Sequence, residues 1–346
     1  MMNKLQSSTL LMALLVSLLL IVITESQGII SVYASPVTIF STRGHFDTMT
    51  GQENTAHRLP TAADLLRELH QRCPGEIAIY VHGVWASRQS AIEQVQRVDI
   101  SLKEGNNYDI PIVGFSWDSD TIQDRNGNGW EIAKVIANNN GKLLADLIVG
   151  YKSACPSDAV RLIGHSLGSR VILSALQSLH DESSGKIIRS VHLMGAAVDD
   201  EQVSTNDSLC LSNIPPLPCS GRAIESTVQT KLYNLHNPED NMLHPVWVYK
   251  EDYALGLDGS YGSEPNNYAQ YIVLDKIPPI SNADGDPNTD CLDSTIGAWG
   301  WNEQWGQYWG YGDNHCGYMG FRTLSSSDPD KDGAIEGVVR DWRSNP

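Results

Sequence analysis

One stretch of the chain decides the fold: Val160-Arg161-Leu162-Ile163-Gly164-His165-Ser166-Leu167-Gly168. Its first four residues are mostly apolar, and a helical pattern begins directly after the second glycine. A strand-to-helix turn this sharp holds its serine in a strained conformation with the hydroxyl above the sheet, and the flanking glycines relieve crowding. The N–H of Leu167 and the start of the helix would face a developing oxyanion. This setting favours Ser166 as a nucleophile over a tight turn with a capping serine.

Outward from this motif, β-type runs alternate with helical patterns. The predicted strands are residues 77–81, 110–115, 160–163, 187–193, 230–235 and 268–274. The predicted helices are residues 61–71, 90–102, 130–151 and 169–179. This alternation predicts an α/β fold, a mostly parallel sheet with helices on both faces. Residues 281–320 are rich in Trp and Gly, which predicts a long loop insertion near the C-terminus.

The N-terminal segment is predicted to be an export signal. An apolar run at residues 10–23 follows Lys4, and Val32-Tyr33-Ala34 is a cleavage site of the small-x-small type. We predict a signal peptide over residues 1–34 and one domain over residues 35–346. The alternative is an uncleaved membrane anchor, and both predictions make the protein secreted or attached to the cell surface.

Charge and cysteine content restrict the function further. The formal net charge is −17, which disfavours binding to nucleic-acid phosphates. All six cysteines follow the predicted signal, so outside the cytoplasm they would form up to three disulfides. Cys210 and Cys219 flank a short Pro-rich loop and are the easiest pair to propose. The chain has no Cys-x-x-Cys pair, which argues against a zinc site.

A second motif lies upstream, where the predicted strand over residues 77–81 ends in His82-Gly83-Val84-Trp85. Together with the serine motif, this HG turn resembles the α/β-hydrolase superfamily, especially its lipase- and esterase-like members. The resemblance implies an α/β-hydrolase domain. It also implies that the HG turn supplies a second oxyanion-hole N–H, from Val84 or from Gly83.

The resemblance covers roughly residues 74–320 and also gives roles to neighbouring features. Ser116-Trp117-Asp118, after the next predicted strand, looks like a turn that lines or supports the cleft in some family members. His82 is interpreted as a structural histidine that orients the HG turn, in preference to a direct catalytic role.

Serine chemistry also needs an acid and a histidine, because a serine hydroxyl is a poor nucleophile at neutral pH. In this fold the chain order is serine, acid, histidine, so both partners should follow Ser166. The family usually places its acid in the loop after a later strand, and Asn237-Pro238-Glu239-Asp240 is a turn of that kind. We therefore predict Asp240 as the acid, with a helix cap near Asn241 as its alternative role. The other candidate acids are Glu239, Asp199 and Asp200.

The predicted base is His315. It lies in the late loop Gly312-Asp313-Asn314-His315-Cys316-Gly317-Tyr318, where the family usually carries its histidine. A disulfide at Cys316 would fix its position. His244 is the alternative, although it is only four residues from the predicted acid, and His236 lies within a strand end.

Aromatic residues cluster just before the predicted base, interleaved with glycines: Trp299, Trp301, Trp305 and Trp309. They would form an aromatic wall or lid over the cleft, or else pack a long loop onto the body of the protein. The residues that we predict to contact substrate are Trp85, His165, Trp305 and Trp309.

Three acidic runs have the one-three-five spacing of oxygen ligands in calcium loops. They are Asp328, Asp330 and Asp332; Asp124, Asn126 and Asn128; and Asn282, Asp284 and Asp286. Each is either a structural Ca²⁺ site or a solvated acidic turn. We keep the first run as the candidate for a structural ion.

The sequence therefore predicts an exported serine hydrolase with a Ser166–His315–Asp240 triad that acts on a small-molecule or lipid ester. The amides of Leu167 and Val84 would hold the oxyanion, and no organic cofactor is required. No nucleic-acid partner is predicted. Membrane contact is predicted only through an uncleaved N-terminal segment. Because the fold hosts many reactions, the alternatives are an acyltransferase or peptidase, or a non-catalytic cell-surface binding protein.

Overall fold

The β-type runs on either side of the serine motif pair into one parallel sheet. A computed structural model of the protein describes residues 37–69, 73–122, 127–212, 216–238, 240, 243, 253–273, 301–302, 307–308, 315, 318–319 and 334–346. Within these residues the sheet has seven strands: β1 (Thr38–Ser41), β2 (Glu76–Val81), β3 (Ile112–Ser116), β4 (Ala159–His165), β5 (Ser190–Met194), β6 (Leu232–His236) and β7 (Tyr268–Ile272). Every neighbouring pair is parallel, and the spatial order is β1-β3-β2-β4-β5-β6-β7.

This strand order places a crevice between β2 and β4. The chain leaves β2 toward one edge of the sheet, to β3, whereas after β4 it proceeds strand by strand toward the other edge. Loops that leave the carboxyl ends of two such neighbours diverge, and ligand sites form in the crevice between them. The HG turn follows β2 and the serine motif follows β4, so both motifs lie at this crevice.

Helices cover both faces of the sheet. The described α-helices are α1 (Ala62–Glu68), α2 (Arg88–Ile100), α3 (Asn128–Ala154), α4 (Gly168–Asp181), α5 (Gly221–Thr227), α6 (Leu255–Asp258) and α7 (Ile335–Ser344). Along β2, Ile77, Ile79 and Val81 belong to the apolar cluster that contains α3 and α4. Ala78 and Tyr80 point the other way, into the cluster that contains α2 and α7. Because successive strand residues face opposite sides, a strand buried on both faces is apolar throughout. The fold is thus the predicted α/β class.

The predicted helix starts agree with the structure to within two residues. Thr61 caps α1: its hydroxyl accepts from the N–H of Asp64, and the Asp64 carboxylate accepts from the N–H of Thr61. The helix predicted from residue 90 begins at Arg88, since Ser87 caps it through the N–H of Ser90. A cap satisfies backbone donors that have no partner within the helix, so it determines where a helix can begin.

Several described elements were not predicted, among them β1, α5, α6 and α7. β1 is only four residues long and lies in a polar region, but it pairs in register with β3. α7 packs its apolar face on the sheet through Ile335, Val338, Val339 and Trp342. These four residues have the spacing of one helical face, so the signal for α7 was present in the sequence.

Two disulfides lie in the described part of the chain. Cys210 pairs with Cys219, as predicted. Cys73 pairs with Cys155, which ties the segment before β2 to the end of α3. Cys291 and Cys316 lie outside the described residues.

Several predictions concern segments that the structure does not describe. These segments include the predicted signal peptide and most of the Trp/Gly-rich stretch. In the described part of that stretch, β8 (Trp301–Asn302) and β9 (Gln307–Tyr308) form an antiparallel pair. Among the described helices, none is both long and apolar enough to span a membrane.

Candidate active site

Ser166 occupies a strained turn between β4 and α4. Its φ is 53°, in the left-handed region that a non-glycine residue rarely adopts. The Ser166 N–H donates to the carbonyl of Met194 at the end of β5, over 3.0 Å. The Ser166 carbonyl accepts from the N–H groups of Ser169 at 3.0 Å and Ala197 at 3.1 Å. Backbone bonds to two neighbouring segments therefore hold the serine in this conformation.

The two glycines of the motif permit close packing around that turn. A Cβ on Gly164 would lie 2.8 Å from Cδ1 of Ile172, and one on Gly168 would lie 2.3 Å from the carbonyl oxygen of Val81. Helix α4 can therefore begin directly against the end of β2. This is the relief of crowding predicted from the sequence.

The HG turn lies against the serine. A Cβ on Gly83 would lie 2.7 Å from Cβ of Ser166 and 3.2 Å from its Oγ. The next residues, Val84 and Trp85, are partly buried. Trp85 has a φ of 56°, and its N–H donates to the carbonyl of Ser119 over 2.8 Å. A second left-handed residue is thus held in place directly beside the turn that carries the predicted oxyanion-hole donors.

His82 stabilises this turn. Its Nδ1–H donates to the carbonyl of Gly83 over 2.8 Å, and its Nε2 accepts from the N–H of Trp117 over 3.2 Å. The indole N–H of Trp117 donates back to the His82 carbonyl over 2.9 Å. Complete burial holds the pKa of His82 well below its usual range, so the ring is neutral. Both ring nitrogens are engaged in structure, which fits the interpretation of His82 as the residue that orients the turn.

The turn after β3, Ser116-Trp117-Asp118, packs beside the HG turn and supports it. The Asp118 carboxylate accepts from the N–H groups of Gly44 at 2.7 Å and Phe46 at 2.8 Å. Arg43 donates to Ser116 Oγ at 2.8 Å and to the carbonyl of Ala86 at 2.6 Å. Trp117 and Asp118 are buried, and their hydrogen bonds fit a supporting role for this turn.

The structure brings Asp240 and His315 together. His315 Nδ1 lies 2.7 Å from Asp240 Oδ2, and Asp240 is 0 % exposed. The other carboxylate oxygen, Oδ1, accepts from the N–H of Leu243 over 3.0 Å. Asp240 therefore satisfies a backbone donor three residues on, as a helix cap would, while it also holds the histidine. The two roles weighed from the sequence are compatible.

His315 lies beside the serine turn. A Cβ on Gly195 would lie 3.1 Å from His315 Nδ1, and Gly195 directly follows Met194, whose carbonyl holds the Ser166 N–H. The ring of His315 is also 4.8 Å from the ring of His165, the residue before the serine. Gly195 is a position that sequence reasoning missed, although a glycine directly after a buried strand was the available signal.

His165 is placed against His315. Its Nε2 lies 2.7 Å from the His315 carbonyl oxygen, and the side chain is 1 % exposed. The other predicted substrate contact that is described, Trp85, lies with its ring 6.0 Å from that of Trp130. Contact of either residue with substrate remains a prediction.

Asp200, the alternative acid, lies in a different environment. Its N–H donates to the carbonyl of Tyr253 over 3.0 Å, and its side chain is surrounded by Asp199, Glu201 and Asp258. Burial, a hydrogen bond with Glu201 and these like charges raise the pKa of Asp200 to about 8. Among the carboxylates described, Asp240 is the one bonded to His315.

The remaining candidates fall outside the described residues. They are Glu239, His244, Trp299, Trp305, Trp309, Asp328, Asp330, Asp332, Asp124, Asn126, Asn282, Asp284 and Asp286.

One family model matches part of the chain. Its description is "Protein of unknown function (DUF726)", and it matches residues 121–211, which include α3, β4 and the serine motif. No curated protein matches the chain.

Similar solved structures are distant. A Listeria innocua gene product is 13 % identical, with a TM-score of 0.31, and the match covers 56 % of this chain and 83 % of that one. Lipase B from Aspergillus fumigatus is 12 % identical, with a TM-score of 0.36, covering 76 % of this chain and 61 % of that one. A Xanthomonas campestris protein described as an α/β serine hydrolase without lid is 15 % identical, with a TM-score of 0.28, covering 58 % of this chain and 72 % of that one. Proteins this distant lend no activity to the chain. Its own sheet order and strained serine turn define the α/β-hydrolase fold that the sequence resemblance predicted.

Proposed function

We propose that this protein is an exported serine hydrolase that cleaves esters by acyl transfer to water. The observation that carries the proposal is the buried 2.7 Å hydrogen bond between Asp240 and His315, beside a serine held at a φ of 53°. A strained serine, a histidine and a buried carboxylate in this chain order form the constellation that activates a hydroxyl nucleophile.

In the proposed reaction, Ser166 Oγ attacks the ester carbonyl carbon while its proton passes to Nε2 of His315. The imidazolium that forms carries protons on both nitrogens, and its Nδ1–H donates to the Asp240 carboxylate. A buried carboxylate stabilises that imidazolium and keeps the correct tautomer. The tetrahedral intermediate then collapses, the carbon–oxygen bond to the alcohol breaks, and His315 returns the proton to the departing alkoxide. Water then attacks the acyl-serine with His315 as its base, the bond between the acyl carbon and Ser166 Oγ breaks, and His315 returns the proton to Ser166 Oγ.

The oxyanion would be held by the backbone N–H groups of Leu167 and Val84, with Gly83 as the alternative to Val84. Leu167 caps the N-terminus of α4, where the helix dipole favours negative charge. The close approach of Gly83 to Ser166 supports the second donor, because it brings the HG turn within reach of the reacting carbon. Donors of this kind need no cofactor, so we propose that none is required.

The export part of the proposal rests on the predicted signal segment and on the disulfides. Disulfides form and persist outside the reducing cytoplasm, and those at Cys73–Cys155 and Cys210–Cys219 are compatible with that setting. The proposed substrate is a small-molecule or lipid ester.

Covalent labelling tests the proposal directly. A fluorophosphonate should form an adduct on Ser166 in the folded protein, detected by peptide mass spectrometry, and Ser166→Ala should abolish it. No adduct on folded protein would overturn the hydrolase proposal and favour a non-catalytic binding protein.

A substrate screen separates the remaining alternatives. With p-nitrophenyl esters of graded chain length, the protein should release p-nitrophenol in water at a rate that Ser166→Ala reduces to background. Labelling without ester turnover, together with product formation on added alcohols or peptides, would instead indicate an acyltransferase or a peptidase.

A further inference from the structure

His165 contacts the main chain of His315, and this contact has no role in the reaction steps proposed above. Its Nε2 lies 2.7 Å from the His315 carbonyl oxygen. A carbonyl only accepts, so His165 Nε2 carries the proton and donates. His165 is also the residue directly before Ser166, so a single side chain links the main chain of the proposed nucleophile to that of the proposed base.

The His165 ring is suited to a fixed donor. It is 1 % exposed, and burial with the nearby His315 lowers the pKa of His165 to about 3, so the ring stays neutral near pH 7. A neutral ring adds no positive charge that would oppose protonation of His315. Its Nδ1 is buried, has no hydrogen-bond partner among the described residues, and lies 3.5 Å from where a Cβ on Gly83 would be. An apolar side chain would avoid the cost of that unsatisfied nitrogen but would lose the bond to His315.

The bond restrains a different part of His315 from the one that Asp240 holds. Asp240 accepts from the ring Nδ1–H, which orients the imidazole. His165 holds the main-chain carbonyl, which limits movement of the whole residue relative to the serine turn. The rings of His165 and His315, with centroids 4.8 Å apart, pack against each other as well. Ring orientation and backbone position of the base are thus restrained separately.

We propose that His165 is a positioning residue for the proposed hydrolase reaction, holding the His315 main chain at a fixed distance from Ser166 through its Nε2–H. The inference rests on the proposed function, and it assigns His165 a role in place of the substrate contact predicted from the sequence. A displacement of the base by about 1 Å is sufficient to reduce turnover by about 10²-fold.

The test compares two nearly isosteric variants. His165→Gln keeps an N–H donor near the Nε2 position, and His165→Met has none. With a p-nitrophenyl ester, we expect His165→Met to lower kcat by roughly 10–100-fold with KM changed less than about twofold. His165→Gln should recover most of the lost kcat. Equal losses in the two variants, or wild-type kcat in His165→Met, would overturn the proposal.

A second readout does not depend on turnover. The far-downfield proton resonance of His315 Nδ1–H, identified by its loss in His315→Gln, should exchange with water at least about tenfold faster in His165→Met than in wild type. In His165→Gln it should exchange at close to the wild-type rate. If wild type proves inactive yet this pattern holds, positioning is supported and the hydrolase proposal alone fails. Unchanged exchange in His165→Met would refute positioning whatever the activity.

Thermal unfolding of both variants shows whether each one folds, so that a loss of kcat is not caused by unfolding. Should His165→Met fail to fold, His165→Asn replaces it, because its amide is polar but one carbon too short to reach the His315 carbonyl. A folded His165→Asn with wild-type kcat and exchange rate would refute the proposal in the same way.

Discussion

Replacing Asp240 by Asn removes the carboxylate from His315 with almost no change in side-chain volume. Asp240 is 0 % exposed, and its carboxylate accepts from His315 Nδ1–H at 2.7 Å and from the backbone N–H of Leu243 at 3.0 Å. An asparagine offers a single oxygen. If that oxygen faces Leu243, the amide NH₂ faces His315 and forces its proton onto Nε2, which then cannot accept the proton of Ser166. If the oxygen faces His315, the Leu243 N–H loses its acceptor.

Either arrangement should reduce catalysis much more than stability. By analogy with triad acids replaced by their amides, we expect kcat/KM to fall by roughly 10³–10⁴-fold. That corresponds to about 4–5.5 kcal/mol of lost transition-state stabilisation, at about 1.4 kcal/mol for each factor of ten. The loss of one hydrogen bond to a charged group should lower the free energy of unfolding by about 1.5–3 kcal/mol.

The assay is hydrolysis of a p-nitrophenyl ester with urea unfolding in parallel, and Asp200→Asn is the matched control. Asp200 also follows a central strand, but its neighbours are other acids, so this variant should keep kcat/KM within about twofold of wild type. An Asp240→Asn protein that retains more than about a tenth of the activity, or an Asp200→Asn protein that loses it, would refute the reasoning.

Three further predictions follow from single contacts. Gly83→Ala places a Cβ 2.7 Å from Cβ of Ser166, so the HG turn must shift, and kcat/KM should fall at least about tenfold in the ester assay; wild-type kinetics would contradict the assigned oxyanion turn. A Cys73→Ala/Cys155→Ala double variant removes a disulfide between residues 82 apart, and urea unfolding should show that the free energy of unfolding falls by about 4 kcal/mol. This loss should exceed the one caused by removing the Cys210–Cys219 disulfide, whose cysteines are 9 residues apart, because a longer loop loses more entropy when it is closed; the reverse ranking would contradict this argument. Burial and acidic neighbours raise the pKa of Asp200 to about 8, so folding favours its protonated form and stability should fall as the pH rises from about 4 to 8. Asp200→Asn should therefore raise Tm increasingly over wild type between pH 5 and pH 8, and a constant Tm difference would contradict this sign.

Local sequence patterns predicted most of the strands and helices that surround the site. The mostly apolar runs before Gly164 and before His82 form β4 and β2, since a strand buried on both faces is apolar along most of its length. The Thr61 capping box marked the start of α1 because a cap satisfies backbone donors within one turn. β1 escaped prediction because four residues with a half-buried pattern carry too little periodicity to stand out from a loop.

The candidate site was predictable only in part. The strand before Ser166 and the glycines around it indicated the nucleophile from residues close together in sequence. The turn Asn237-Pro238-Glu239-Asp240 favoured Asp240, but no local pattern excluded Asp200, because each follows a strand. The structure separates them through a contact 75 residues away in the chain, with His315. The bond of His165 to that same loop spans 150 residues and likewise had no local signature.

The sequence by itself determined the α/β class, the strained serine turn and most helix starts, because periodicity, turn chemistry and caps act over a few residues. Only the tertiary structure decided the strand order, the β2–β4 crevice and the pairing of Asp240 with His315. These depend on closing long loops and on packing both faces of one sheet, so their free energy is shared among residues far apart in the chain. Ser166 shows both contributions: its turn is local, but its φ of 53° is held by backbone bonds to Met194 and Ala197 on the neighbouring strand and loop.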